Sequence, residues 1–259
     1  STASSTTANP LPPPRSLLRR VLPTAILMVT CLFAGGVIVL APYGHILKAL
    51  RNPPSDAETL SLFIPSTPTT QQIDDHLTNH PLARRLRSQP DITESRPHLK
   101  IPESLRAHSL TSGPLMGPRC LEVPPISFAA RDQPLPTLTQ LIYVGPALAG
   151  HPGVAHGGLL ATLLDEGLAR ACFPALPHQV GVTANLRMDY RAPCPVDAYV
   201  LLRAETTRVE GRKAWVRGWI EVLGEEGGQG TKLVEAEALF VEPRNVKHMQ
   251  RIYGRQAGK

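Results

Sequence analysis

Chemistry in this chain concentrates between residues 150 and 170. The text runs Gly150-His151-Pro152-Gly153-Val154-Ala155-His156-Gly157-Gly158 and continues as an apolar stretch to Ala171, interrupted by two adjacent carboxylates, Asp165 and Glu166. The apolar stretch from Gly158 predicts a helix enclosed by other structure. At about 100° per residue the two carboxylates cannot share a face, so at least one lies near the enclosed side and needs a partner, a raised pKa or a task. Gly157 and Gly158 fall at the helix start, where backbone N–H groups lack intrahelical partners and the helix dipole favours negative charge. Without side chains there, a ligand carbonyl can approach the amides, which is how an oxyanion would be held. The carboxylate lies about 13 Å further along the same helix, too far to act on a carbonyl at its start. The constellation therefore predicts a dimer in which the amides of one subunit face the carboxylate of the other.

The run His156-Gly157-Gly158 with Asp165 nine positions after the histidine resembles the hotdog-fold acyl-CoA thioesterases, specifically their phenylacetyl-CoA thioesterase-like branch. The text Val182-Thr183-Ala184-Asn185-Leu186-Arg187-Met188-Asp189-Tyr190-Arg191-Ala192-Pro193, followed by Glu210-Gly211-Arg212-Lys213, is similar to the mitochondrial long-chain members. The resemblance covers roughly the last 120 residues. It implies hydrolysis of an acyl-CoA to a free acid and CoA, with no cofactor because CoA is part of the substrate. It also implies a homodimer or a dimer of dimers. Asp165 would activate water or attack the thioester itself, while the amides around Gly157 and Gly158 polarise the carbonyl. Thr183 matches the family threonine and would position the water. His156 would hydrogen-bond the substrate carbonyl or fix the turn.

Other residues carry weaker readings. Glu166 either assists substrate binding or pairs with Arg170 four residues on. Asn185, two residues from Thr183 on an expected strand, would share its face and support the site, whereas Tyr190 reads as packing. Arg191, Arg208, Arg212 and Lys213 are candidate contacts for CoA phosphates, or simply a solvated charge run. His151 and His178 read as loop residues. Four unpaired cysteines and scattered histidines give no metal-ligand spacing, so no metal is expected. Phosphate-loop, zinc-protease and serine-hydrolase motifs are missing too. A non-catalytic hotdog module that binds acyl-CoA or scaffolds partners at a membrane is the alternative; hydratase chemistry on the same fold would place its acid and histidine differently.

The elements that must position these residues follow from periodicity. Leu138–Val144, Gln179–Tyr190, Asp197–Arg208, Ala214–Leu223 and Lys232–Val241 read as strands, alternating apolar and polar residues except at Val200-Leu201-Leu202. One helix followed by an antiparallel meander is an α+β arrangement, and the resemblance makes it a hotdog: an antiparallel sheet wrapped around a central helix.

Composition bounds the rest. Twenty of the 27 prolines lie before residue 137, which places the folded domain at residues 126–243 behind a Pro-rich tether, 48–125, with one short helix over Gln71–Ser88 broken at Pro81. Of the net charge of +6, +5 comes from residues 1–51, which hold five basic side chains and no acid; the other 208 residues carry 22 basic and 21 acidic ones. With only 5% aromatic residues, nucleic-acid binding is disfavoured. Residues 1–20 are Ser-, Thr- and Pro-rich with arginines, as mitochondrial targeting segments are. Residues 21–47 lack any Asp, Glu, Lys or Arg and read as a single membrane-spanning helix that would tether the enzyme. Residues 244–259 read as a basic tail.

Overall fold

The structure, a computed structural model, describes residues 22, 23, 25–39, 53–228 and 230–246. The chain divides into two compact units, Ser1–Leu47 and Lys48–Lys259. In the first, residues 25–39 are helical and carry exposed apolar side chains such as Leu27, Leu32, Phe33 and Ile38. Among the described residues no helix is long and apolar enough to cross a membrane; the expected span over 21–47 falls in part on residues outside them. The targeting-like segment 1–20, residues 40–47 and most of the basic tail lie outside the described residues.

The second unit begins with the helices α1 (Asp56–Ser61), α2 (Pro68–Asn79), α3 (Pro81–Arg87) and α4 (Glu103–Arg106) and ends on the long helix α5 (Gly157–Cys172) and its sheet. Pro81 separates α2 from α3 because its ring allows no amide donor to α2 yet suits the first position of a new helix. Strands β1 (Thr93–Ser95), β2 (Ile126–Ala130), β3 (Thr137–Val144), β6 (Val182–Tyr190), β7 (Ala198–Glu210), β8 (Lys213–Val222) and β9 (Lys232–Val241) form one antiparallel sheet in the order β1-β2-β3-β7-β8-β9-β6. A small hairpin, β4 (Ala149–His151) with β5 (Val154–Ala155), leads into α5.

The sheet wraps α5. Leu160, Leu163, Leu164, Leu168 and Cys172 of the helix pack with Ile142, Val144, Val200, Leu202, Val216, Ile220 and Phe240 of the sheet in one dry core. Two glycines let the layers close. A Cβ on Gly167 would lie 2.7 Å from Leu202 Cδ2, and one on Gly218 would lie 2.8 Å from Leu168 Cδ2. This is the expected hotdog, an α+β fold.

The stretch read as a Pro-rich tether that wraps or approaches the domain packs on the sheet. Ile73 and Leu77 of α2 with Leu82, Ala83 and Leu86 of α3 cover Ile126, Phe128, Leu141, Tyr143 and Leu201 on the outer face of the sheet, building a second core. β1 adds a strand to the sheet edge. On the opposite side of the sheet, residues 97–121 close one flank of α5. There Thr111 Oγ1 donates to both oxygens of Glu166, at 2.7 and 2.9 Å, and Arg170 Nη2 donates to Glu166 Oε2 at 2.9 Å. His98, 2% exposed, stands 3.7 Å from the same carboxylate, longer than a hydrogen bond, and neither of its ring nitrogens has a hydrogen-bond partner among the described residues. Burial pushes the His98 pKa down, so the ring is neutral at neutral pH.

Two outcomes follow from this packing. Leu77 is fully buried, so Leu77→Ala should cost about 2–5 kcal/mol in urea denaturation, against almost nothing for a side chain on a loose tether. His98 binds its proton less readily when folded than when unfolded. Below about pH 6.5 the unfolded chain therefore takes up a proton that the folded chain refuses, and stability falls with falling pH. Between pH 7 and 5 the urea midpoint should drop, and drop less in His98→Gln; His80, also pushed down by burial, leaves some slope in both.

Candidate active site

The start of α5 is built by its own side chains. His156 is the N-cap, and its Nδ1 accepts the Gly158 N–H at 2.9 Å. A ring nitrogen that accepts a hydrogen bond carries no proton, so the neutral imidazole holds its hydrogen on Nε2. That nitrogen has no partner among the described residues, and His156 is exposed. The ring sits between two glycines. A Cβ on Gly158 would come within 3.0 Å of His156 Nδ1, and one on Gly150 within 3.1 Å of its Cδ2. Gly157 faces Tyr190 instead, whose hydroxyl donates to the Gly157 carbonyl at 2.8 Å.

Sequence reasoning gave the glycine pair one purpose, access for a ligand to two amides. The structure modifies this: the Gly158 N–H is already taken by the cap, and among the described residues only the Gly157 N–H of the pair has no acceptor.

Two turns later Asp165, half-buried, accepts from Thr183 Oγ1 at 2.7 Å through Oδ1. Its other oxygen has no partner among the described residues. Glu166, on the next face, is committed to Thr111 and Arg170 on the far flank and is held well below the ordinary carboxylate range. Burial alone would raise its pKa, but the donors and the positive charge of Arg170 outweigh that. The pairing with Arg170 is therefore present, and the substrate-binding role expected for Glu166 has no free oxygen to serve it.

Asn185 is not on the Thr183 face. A bulge at Ala184 sets Thr183 opposite the inward Phe240 but Asn185 opposite the outward Leu239, so the extra residue reverses the alternation. Leu186, Met188 and Tyr190 resume the inner face opposite Ala238, Ala236 and Val234. Tyr190, read as a packing residue, is thus a member of the site; its inward phase was visible in the strand pattern only once the bulge was known.

The expected phosphate cations are dispersed. Arg212 and Lys213 sit at the turn beside Val241, at the Thr183 end of β6, while Arg191 follows Tyr190 at the other end. Arg191 pairs with Glu235, Arg212 Nη1 donates to the Glu242 carbonyl at 2.8 Å, and Arg208 pairs with Glu210 and lies over Trp215. Lys213 is exposed. A polar trough of about 750 Å³ lined by Arg187, Arg191, Arg217, Trp219 and Glu235 lies on the outer face of the sheet, away from Asp165 and Thr183.

His178 was read as a loop residue. Its backbone N–H and Nδ1 both reach the buried carboxylate of Glu242, at 2.9 and 2.8 Å, which fixes the turn leading into Thr183. Nothing in the local sequence signals that pairing across 64 positions. Among the described residues no cluster of His, Cys, Asp or Glu could hold a metal ion.

Residues 152–227 match the family model of the Thioesterase superfamily. A mitochondrial protein of Candida albicans (strain WO-1) is 31% identical over 166 residues, covering 64% of this chain and 74% of that protein. A UPF0644 protein of Schizosaccharomyces pombe is 31% identical over 182 residues, covering 70% of this chain and 69% of that protein. The mouse acyl-coenzyme A thioesterase THEM4 is 35% identical over 98 residues, covering 38% of this chain and 40% of THEM4. With the glycine turn, the enclosed helix and Asp165 inside the matched residues, the chain belongs to the thioesterase superfamily.

Proposed function

We propose that this protein is an acyl-CoA thioesterase in which Asp165 drives hydrolysis of the thioester. The observation that carries this reading is the Thr183–Asp165 hydrogen bond, which fixes one carboxylate oxygen and leaves the other without a partner among the described residues, at a half-buried position on the central helix. Similarity to THEM4, named as an acyl-coenzyme A thioesterase, supports the substrate class.

In this mechanism the thioester carbonyl oxygen sits at the start of α5, facing the Gly157 N–H and the His156 Nε2–H. Asp165 takes a proton from water as the water oxygen attacks the carbonyl carbon. The tetrahedral intermediate collapses, the C–S bond breaks, and the proton passes to the departing CoA thiolate. Direct attack by the free oxygen of Asp165 is the other route open to the same geometry.

The two halves are eight residues apart on one helix, about 12 Å, so they cannot meet on one carbonyl within a chain. A second copy must complete the site. β6 supports this: it is hydrogen-bonded to β9 on one side only, its other edge is open among the described residues, and Val182 and Tyr190 along it are 45% and 55% exposed. A mitochondrial setting is supported by the basic, acid-free N-terminus and by the mitochondrial relative in Candida albicans.

Free-thiol release from acyl-CoA esters of graded chain length tests the reading. The full chain should turn over at least one ester, and Asp165→Asn should keep its oligomeric state while losing about 10²-fold to 10⁴-fold in kcat. Saturable binding of an ester with no turnover would instead favour the non-catalytic acyl-CoA module, and an active monomer would refute the shared site.

A further inference from the structure

The peptide unit joining Gly157 to Gly158 is held at both ends by side chains. Its carbonyl accepts from the Tyr190 hydroxyl at 2.8 Å, and its N–H donates to His156 Nδ1 at 2.9 Å. Both contacts are close-fitting at the glycines. A Cβ on Gly157 would sit 3.3 to 3.4 Å from the Tyr190 hydroxyl and ring, and one on Gly158 would sit 3.0 Å from the imidazole. The pair thus accommodates two groups of the protein itself as well as any ligand.

These contacts form one chain of hydrogen bonds, from the Tyr190 O–H through the amide to the imidazole, and it ends at Nε2–H. Donation to a peptide oxygen draws electron density from its nitrogen and strengthens the N–H as a donor. Donation to Nδ1 does the same to the ring and so strengthens Nε2–H. The chain also fixes orientation. With its carbonyl bonded to Tyr190 and its N–H to His156, the Gly157–Gly158 peptide is restrained on both sides.

We propose that Tyr190 is a positioning residue for the carbonyl-binding end of the site, acting through the Gly157–Gly158 peptide on His156. The inference rests on the acyl-CoA thioesterase reading for its kinetic consequence but not for the contact itself. Tyr190 need not touch substrate. Its ring is carried by the inner face of β6, so the same strand that supplies Thr183 to Asp165 also sets the start of the helix.

Tyr190→Phe in the full chain tests this, because it keeps the ring and removes only the donor. The kcat should fall about 5- to 10-fold, the scale of one hydrogen bond, with KM and thermal midpoint little changed. In a His156→Ala background the same substitution should change kcat by less than about twofold, since the chain it feeds is already cut. Equal losses in both backgrounds, or a change confined to KM, would overturn the relay. Hydrogen–deuterium exchange over residues 154–163 supplies a readout without turnover: the Gly158 amide should exchange faster in Tyr190→Phe. Unchanged exchange would overturn the clamp even if every ester were inert, whereas inert wild-type protein with faster exchange would strike only the thioesterase reading.

Discussion

Everything at the candidate site depends on how α5 is held against the edge strand β6. Two side chains of that strand hydrogen-bond to the helix: Thr183 to Asp165 and Tyr190 to Gly157, at 2.7 and 2.8 Å. Each contact contributes on the order of 1 kcal/mol, small beside the burial of Leu160, Leu163, Leu164 and Leu168 that keeps the helix in the sheet. The leucines set where the helix lies; the two hydrogen bonds set its polar groups. The opposite flank is closed by Thr111, Arg170 and the neutral ring of His98 around Glu166, so the helix has one sealed side and one side facing an open sheet edge.

The outer face of the sheet divides in the same way. Over β2, β3 and the first half of β7 it is apolar, and α2 and α3 cover it. Over β8, β9 and β6 it is charged and uncovered, with Arg187, Glu237, Arg217 and Glu205 in register across four strands as alternating signs. A covering layer is stable only where both faces of a strand are apolar, and there the alternation of the text disappears. Val200-Leu201-Leu202 departs from alternation because Val200 and Leu202 face α5 while Leu201 faces α2 and α3. That departure was visible in the sequence and is the trace of the second core, although the prolines of residues 48–125 pointed toward an irregular approach.

Much of the fold was legible because its signals are local. The apolar helix, the strands from Leu138 onward and the break at Pro81 each follow from neighbours in the text. What was not legible depends on pairings between distant positions. Glu242 reaches back to His178, Thr111 reaches forward to Glu166, and β1 joins a sheet whose next strand begins 31 residues after its own end. At the site, the resemblance singled out Asp165 as the carboxylate and Thr183 as the residue to position water; that the Thr183 hydroxyl donates to Asp165 itself is a contact between distant positions. The cations resisted because charge says nothing of direction: the strand and hairpin turn send Arg191 and Arg212 to opposite ends of β6.

Phase explains the remaining differences and why the site is built as it is. One step along α5 separates an oxygen that is free from a carboxylate wholly engaged, because about 100° of rotation moves a side chain from the β6 flank to the Thr111 flank. One inserted residue in β6 has an equally large effect. Without the bulge at Ala184, strict alternation would place Thr183 and Tyr190, seven positions apart, on opposite faces of the sheet. With it, both turn inward and both reach α5. The bulge is therefore what allows a single edge strand to orient the carboxylate and the glycine turn together, and Asn185 is displaced to the outer face as the geometric consequence.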